Sequence, residues 1–370
     1  MTITSPSLAP LDIASRLGRL RARLGDLGVD AMLVTRLTNV RYLTGFTGSA
    51  AMLLVGPDAA VFVTDGRYRD QSAEQLGAAG VDARVMVGTT LAAQREYLVE
   101  AAASFRRLAL EDHDVTWAQQ REFAAAFANA ELVPAGTPVE DLRRVKDAGE
   151  VDRIRAACAI ADDAFMELAP SMGSGITERQ FALALEFAMR ERGASAMSFD
   201  PIIASGPNGA MPHARPSDRV IARSELVVCD FGCIVDGYCS DMTRTVSVGD
   251  PGPDARHLYD VVLASQAAGR DAVAVGADCA AVDKASRDVI DAAGLGETFL
   301  HGTGHGVGLD IHEAPRVASS ARDTLRDGDV VTVEPGVYLP GVGGVRIEDT
   351  LFVTPVGPVQ LTLTPKDLVL

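Results

Sequence analysis

The chain has 370 residues, 47% of them hydrophobic and 23% charged, with a net charge of −16, which suits two ordinary globular domains. So acidic a surface repels nucleic acid and anionic membranes and argues against both as partners, while favouring solubility. No apolar run reaches the ~18–20 residues that span a bilayer, and the opening MTITSPSLAPLD has no basic segment ahead of an apolar core, so no secretory signal is predicted.

In chain order, apolar residues at helical spacing predict a helix from about Ile13 to Leu27. Strand-like AMLV follows, then a loop (TRLTNVRYLTGFTGSA), then the strand pair AMLLVG and AAVFVT ending at an Asp65-Gly66 turn. Helices and strands alternate to about Pro138, the pattern of a small α/β domain. PAGTPVE (134–140) reads as a loop, and a domain boundary is expected near 142, giving an N-terminal domain 1–142 and a C-terminal domain 143–370. Long helices are predicted over about 146–168 and 177–192, the second opened by a Thr177/Gln180 capping box, and others near 254–275 and 278–293. The odd set Cys158, Cys229, Cys233, Cys239 and Cys279 contains no C-x-x-C pair, so no disulfide framework is expected and the predicted compartment is cytoplasmic. A thiolate zinc site from Cys229, Cys233 and Cys239 competes with the simpler reading of three small buried hydrophobes.

Two segments resemble each other: ELVVCDFGCIVDGYCSDMTRTVSV and DVVTVEPGVYLPGVGGVRIEDTLFV. Each has an apolar strand, a carboxylate, a glycine two residues on, a turn, and a second strand with another carboxylate. This is a weak internal duplication that donates four acids. Asp230 and Glu334 follow runs that read as buried strands, where an unpaired carboxylate must protonate, find a partner or bind metal. If Asp236-Gly237 is a two-residue turn, Val235 pairs with Tyr238 and Gly232 with Asp241. Asp230 and Asp241 then share a sheet face as diagonal neighbours ~7–8 Å apart, with Cys229 and Phe231 on the other face. The second turn is longer and its register stays open. Four converging acids call for one or two divalent cations; the competing arrangement is four separate ion pairs with arginines.

Three of the six histidines, His301, His305 and His312, lie in HGTGHGVGLDIHEAP, where alternate glycines permit close backbone approach. The stretch lacks the phosphate-binding pattern, the zincin glutamate and a G-x-S-x-G elbow. His113 and His257 read as ordinary surface or core residues and not as ligands, and His213 lies in the Gly/Pro-rich loop SGPNGAMPHARPS.

Together CDFG…GYCSDMTRT, HGTGHGVGLDIHEAP, VEPGVY and GVRIEDT resemble the metallopeptidase family that contains prolidase, aminopeptidase P and methionine aminopeptidase, over roughly residues 143–370. YLTGFTGS and VTDGRY resemble its creatinase-like N-terminal domain more loosely. The resemblance implies an α+β architecture: a pita-bread catalytic domain with a smaller α/β N-terminal domain. It implies Asp230, Asp241, His305, Glu334 and Glu348 as ligands of two divalent metals. It matches His213 and His312 to substrate-binding histidines and Arg346 to a supporting position, and leaves His301 as a pocket residue. Oxygen-rich ligation with one imidazole suits Mn²⁺ best, with Co²⁺ or Zn²⁺ as other candidates. Glu334 would also relay the proton of the attacking water. The implied substrates are peptides with proline second, and a homodimer is expected. The N-terminal motifs favour an Xaa-Pro aminopeptidase (aminopeptidase P), the alternative being an Xaa-Pro dipeptidase (prolidase). A non-catalytic peptide-binding relative is the rival from another class.

Overall fold

The structure is a computed structural model and describes residues 8–370. The chain forms two compact units, Leu11–Arg143 and Arg144–Leu370, and the described residues 8–10 belong with the second. Among the described residues no helix is long and apolar enough to cross a membrane.

The first unit is built on a six-stranded sheet in the order Arg84–Val87, Ala60–Thr64, Ala51–Val55, Ala31–Val34, Arg107–Leu110, Glu131–Pro134. Ala31–Val34 runs antiparallel to one neighbour and parallel to the other. It is buried at every position, as its unbroken AMLV run requires. The first helix spans Arg16–Leu27, three residues shorter than its periodicity suggests. It buries Leu17, Leu20 and Leu24 and ends at Gly28 in the left-handed region. The segment read as a loop after the first strand contains a helix, Leu37–Thr44. Its threonines and asparagine hide the pattern, because such side chains usually compete with the backbone. Here Asn39 is buried and donates to Glu111 and Glu140 instead. Likewise 138–140 are the start of a helix, Pro138–Arg144, with proline in its first turn where it costs nothing.

The second unit pairs helices with hairpins twice. Ala148–Leu168 starts at a capping box formed by Asp147 and Glu150, and Glu178–Glu191 at the one formed by Thr177 and Gln180. These two pack on the hairpin whose strands are Leu226–Phe231 and Met242–Ser247. Phe231 stacks on Phe165 at 5.1 Å, and Cys229, Cys233 and Phe231 are fully buried in this core. Pro253–Ala272 and Cys279–Ala292 pack in the same manner on the strands Val330–Val333, Gly336–Leu339, Gly343–Arg346 and Asp349–Thr354. All five cysteines are free and buried. Burial pushes the Cys233 and Cys239 thiols up to about 12, and among the described residues the one group placed to hold a metal contains no cysteine, so the thiols serve as small buried hydrophobes.

The first hairpin has the expected register. Val235 pairs with Tyr238, and Asp236 (φ 44°) and Gly237 (φ 86°) both take the positive φ that a tight type I′ turn demands. Gly237→Val should lower stability by ~1–2 kcal/mol, the usual cost of a left-handed conformation for a side-chain-bearing residue; an unchanged denaturation midpoint would show that this turn does not hold the register.

Candidate metal centre

The face of each hairpin turned away from its helices carries the acids. Asp230 pairs with Thr243 and Phe231 with Met242, so in the same register Gly232 opposes Asp241 and the two aspartates are diagonal neighbours. Gly232 is obligatory there, since a Cβ would lie 2.0 Å from Ser240 O. In the second hairpin Val333 pairs with Asp349 and Gly336 with Arg346. Counting inward from either pair brings Glu334 directly opposite Glu348. The two hairpins therefore offer their acids differently, diagonally in one and face to face in the other.

His305 enters on the short strand Gly304–Gly306. Its flanking glycines are forced: a Cβ at 304 would meet Thr332 O at 2.0 Å, and one at 306 Ala314 O at 2.3 Å. His305 Nδ1 lies 3.0 Å from Gly306 O, which can only accept, so Nδ1 carries a hydrogen and Nε2 faces the acids. Nε2 is 3.4 Å from Asp241 Oδ2 and 3.4 Å from Glu334 Oε1. Asp241, His305 and Glu348 each present one donor atom within 4.8 Å of the others. Asp230 Oδ2 accepts from Arg346 Nη2 at 2.6 Å, while its buried Oδ1 has no partner.

The surrounding polar groups aim these side chains. Thr243 Oγ1 donates to Glu348 at 2.7 Å and Thr332 Oγ1 to Glu334 at 3.2 Å. The buried Arg346 donates to Thr243 Oγ1 at 3.1 Å, to Tyr338 Oη at 2.7 Å and to Pro212 O at 3.2 Å. Tyr338 Oη is in turn 2.8 Å from His301 Nε2. His312 is exposed at the rim, its ring 4.4 Å from that of His305. Its turn is tied by Glu313, which accepts from Asp310 N at 3.0 Å and pairs with the buried Lys146 at 3.2 Å. His213 is exposed on the loop behind Gly206–Ala210, directly after Pro212, whose carbonyl accepts from Arg346. His113 and His257 are exposed residues outside this cluster. Tyr338, Thr243 and Thr332 were not singled out by the sequence; the one available signal was that Thr243 and Thr332 lie two residues from an acid, on the same strand face.

The electrostatics report crowding of like charge. Burial, with the charge of Asp230, raises Asp241 to about 6 against the opposing hydrogen bond to His305. Burial and the charges of Asp241 and Asp230 raise Glu334 to about 7. Burial and three neighbouring carboxylates push Glu348 well above the carboxylate range. Burial opposes the His305 imidazolium, but the hydrogen bond to Asp241 and the charges of Glu334 and Asp241 prevail and raise it to about 9. His301, shielded by burial, falls to about 4. The donor set fits a divalent cation: hard oxygens with one imidazole, a surplus of buried negative charge, and a carboxylate oxygen with nothing to accept from.

Residues 152–355 match metallopeptidase family M24, and residues 16–145 match the creatinase/prolidase N-terminal domain. The chain is 41% identical over 355 residues to the uncharacterized peptidase YqhT of Bacillus subtilis, covering 96% of this chain and 99% of that protein. Among solved structures, the Xaa-Pro dipeptidase from Bacillus anthracis superposes with a TM-score of 0.93 at 37% identity, covering 97% of this chain and all (100%) of that one. The X-Pro aminopeptidase from Thermotoga maritima superposes at 0.86 with 32% identity, covering 94% and 100%.

One pH dependence follows for protein stripped of metal. Glu334 rises from 4.5 to about 7 and Asp241 from 3.8 to about 6, so the folded state binds these protons more tightly than the unfolded chain and their burial costs more as pH climbs. His305 rises from 6.5 to about 9, so its stabilisation is complete below 6.5 and lost as pH passes 9. All three effects share one sign. In chelator, Tm should fall between pH 5 and pH 9, and a divalent cation should restore more of it at pH 8 than at pH 5; a Tm that rises over that range would contradict the cluster.

Proposed function

Since this chain belongs to metallopeptidase family M24, with a pita-bread catalytic unit and a creatinase-type N-terminal domain, we propose that it is a two-metal Xaa-Pro peptidase whose substrates carry proline second. The observation that carries this reading is the convergence of Asp241, His305 and Glu348 within ligand distance of one another, beside Glu334 and an Asp230 oxygen lacking any partner.

In this reading Asp230, Asp241, His305, Glu334 and Glu348 hold the metals, Mn²⁺ being the best match to the donors and Co²⁺ or Zn²⁺ the alternatives. Bound divalent ions supply Lewis acidity and lower the pKa of water toward ~7. The chain's own groups do the rest. Arg346 holds Asp230 and leaves only one of its oxygens free. Glu334, tied by Thr332 Oγ1, takes the proton of the attacking water at its carboxylate and passes it to the departing proline nitrogen. His213 and His312, at the exposed edge, donate hydrogen bonds to the scissile carbonyl as it becomes an oxyanion. Proline after the scissile bond gives a tertiary amide without N–H, so recognition falls to shape and to these donors.

Two substrate lengths compete. The dipeptide reading is supported by the similarity to the Bacillus anthracis Xaa-Pro dipeptidase. The longer-peptide reading is supported by the N-terminal motifs and by the similarity to the Thermotoga maritima X-Pro aminopeptidase. The first has the higher identity and TM-score, and we favour it over the aminopeptidase that the motifs alone suggest. A cytoplasmic location is supported by the five unpaired cysteines.

With Mn²⁺ added, an Xaa-Pro dipeptide should be cleaved faster than a longer Xaa-Pro-peptide of the same first residues; the reverse order would restore the aminopeptidase reading, and no release from either would remove the activity. Asp230→Ala and Glu348→Ala should lose bound metal by elemental analysis together with turnover. His213→Ala should keep its metal and lose ~10²–10³ in kcat, the usual cost of one oxyanion donor. Light scattering on the same preparations tests the expected homodimer.

A further inference from the structure

Apart from the ligand cluster, one fully buried acid is occupied by a loop. Glu178 is the first residue of the helix Glu178–Glu191 and has no exposed surface. Its Oε1 accepts from Ser205 N at 2.7 Å and Ser205 Oγ at 2.8 Å. Its Oε2 accepts from Ser217 N at 3.0 Å and Ser217 Oγ at 2.6 Å. Asn208 Nδ2 lies 3.1 Å from both oxygens. Burial favours the neutral acid, but these donors outweigh it and hold the carboxyl below its ordinary range.

The three partners stand at the two ends and within the segment 205–217, and His213 belongs to that segment. Its opposite side lies on the strand Gly343–Arg346. A Cβ on Gly344 would be 2.1 Å from Gly209 O, and Arg346 donates to Pro212 O at 3.2 Å. His213 is therefore next to a carbonyl fixed by the residue that also grips Asp230. Arg219 closes the base by donating to Ser205 Oγ at 2.7 Å and pairing with Glu225.

We propose that Glu178 is a positioning residue for the reaction, gathering both ends of segment 205–217 so that His213 is fixed relative to the carboxylate cluster; this rests on the role given to His213 above. The carboxylate form is needed because two backbone N–H groups, Ser205 N and Ser217 N, converge on different oxygens. An amide can offer oxygen at one end only, and a backbone N–H cannot reverse into an acceptor.

The test is a double-mutant cycle on the Mn²⁺-loaded full chain with an Xaa-Pro dipeptide, reading kcat, KM and metal content for wild type, Glu178→Gln, His213→Ala and the pair. Glu178→Gln should keep its metal and lower kcat by ~10–100-fold through misplacement of His213, and should cost less than about threefold when His213 is already alanine. An equal loss in both backgrounds overturns the proposal and leaves the peptidase reading intact. If His213→Ala alone leaves kcat unchanged, the role of His213 fails, and this proposal with it. Should Glu178→Gln not fold, Asn208→Ala, which keeps the carboxylate and removes one donor, is taken through the same cycle; a smaller loss that disappears without His213 supports the proposal, and an additive one overturns it.

Discussion

Mutual repulsion among four carboxylates held out of water is the constraint on which the second unit depends. Asp241 and Glu348 are almost wholly buried, and Asp230 and Glu334 only partly accessible. Arg346 offsets one charge and His305 can offset another. What remains must be met by protons or by cations. The upward shifts of Asp241, Glu334 and Glu348 are this same deficit as a proton experiences it. The second ring of groups follows from it, because side chains that repel one another keep a common focus only when each is tied down. Thr243, Thr332, Arg346 and Tyr338 supply those ties.

The apolar backs of the hairpins supply the stability that so costly a face consumes. Phe231, Cys229 and Cys233 fill the core beneath the first helix pair while Asp230 faces the other way. Strand alternation makes both demands compatible within neighbouring residues.

Much of this was legible from residues alone. Asp236-Gly237 between two apolar runs fixed a turn, the turn fixed a register, and the register put Asp230 and Asp241 on one face. The acids of the second hairpin were visible but their opposition was not, because a three-residue connection between Leu339 and Gly343 admits several registers. The helix Leu37–Thr44 was hidden by polar residues whose partners, such as Glu111, are 72 positions away. Glu178 and Tyr338 escaped notice for the same reason: an acid in a first turn and a tyrosine in a strand are ordinary locally. Their importance arises from partners that folding brings to them. Nor did the ligand motifs encode substrate length, since that depends on what meets the far end of the peptide and not on the atoms around the scissile bond.

The glycines at 232, 304, 306 and 344 leave the centre no slack. At each, backbone meets backbone with no room for a single methyl group. A mutational library aimed at altered selectivity would waste its diversity there, because even alanine displaces a strand that carries an acid, the imidazole or Arg346. Diversity belongs on the outer rim of segment 205–217, where Met211 and Arg215 are exposed. The scaffold thus separates a floor where backbone already touches backbone from a few exposed side chains on an anchored segment, and substitutions at those side chains leave the floor untouched.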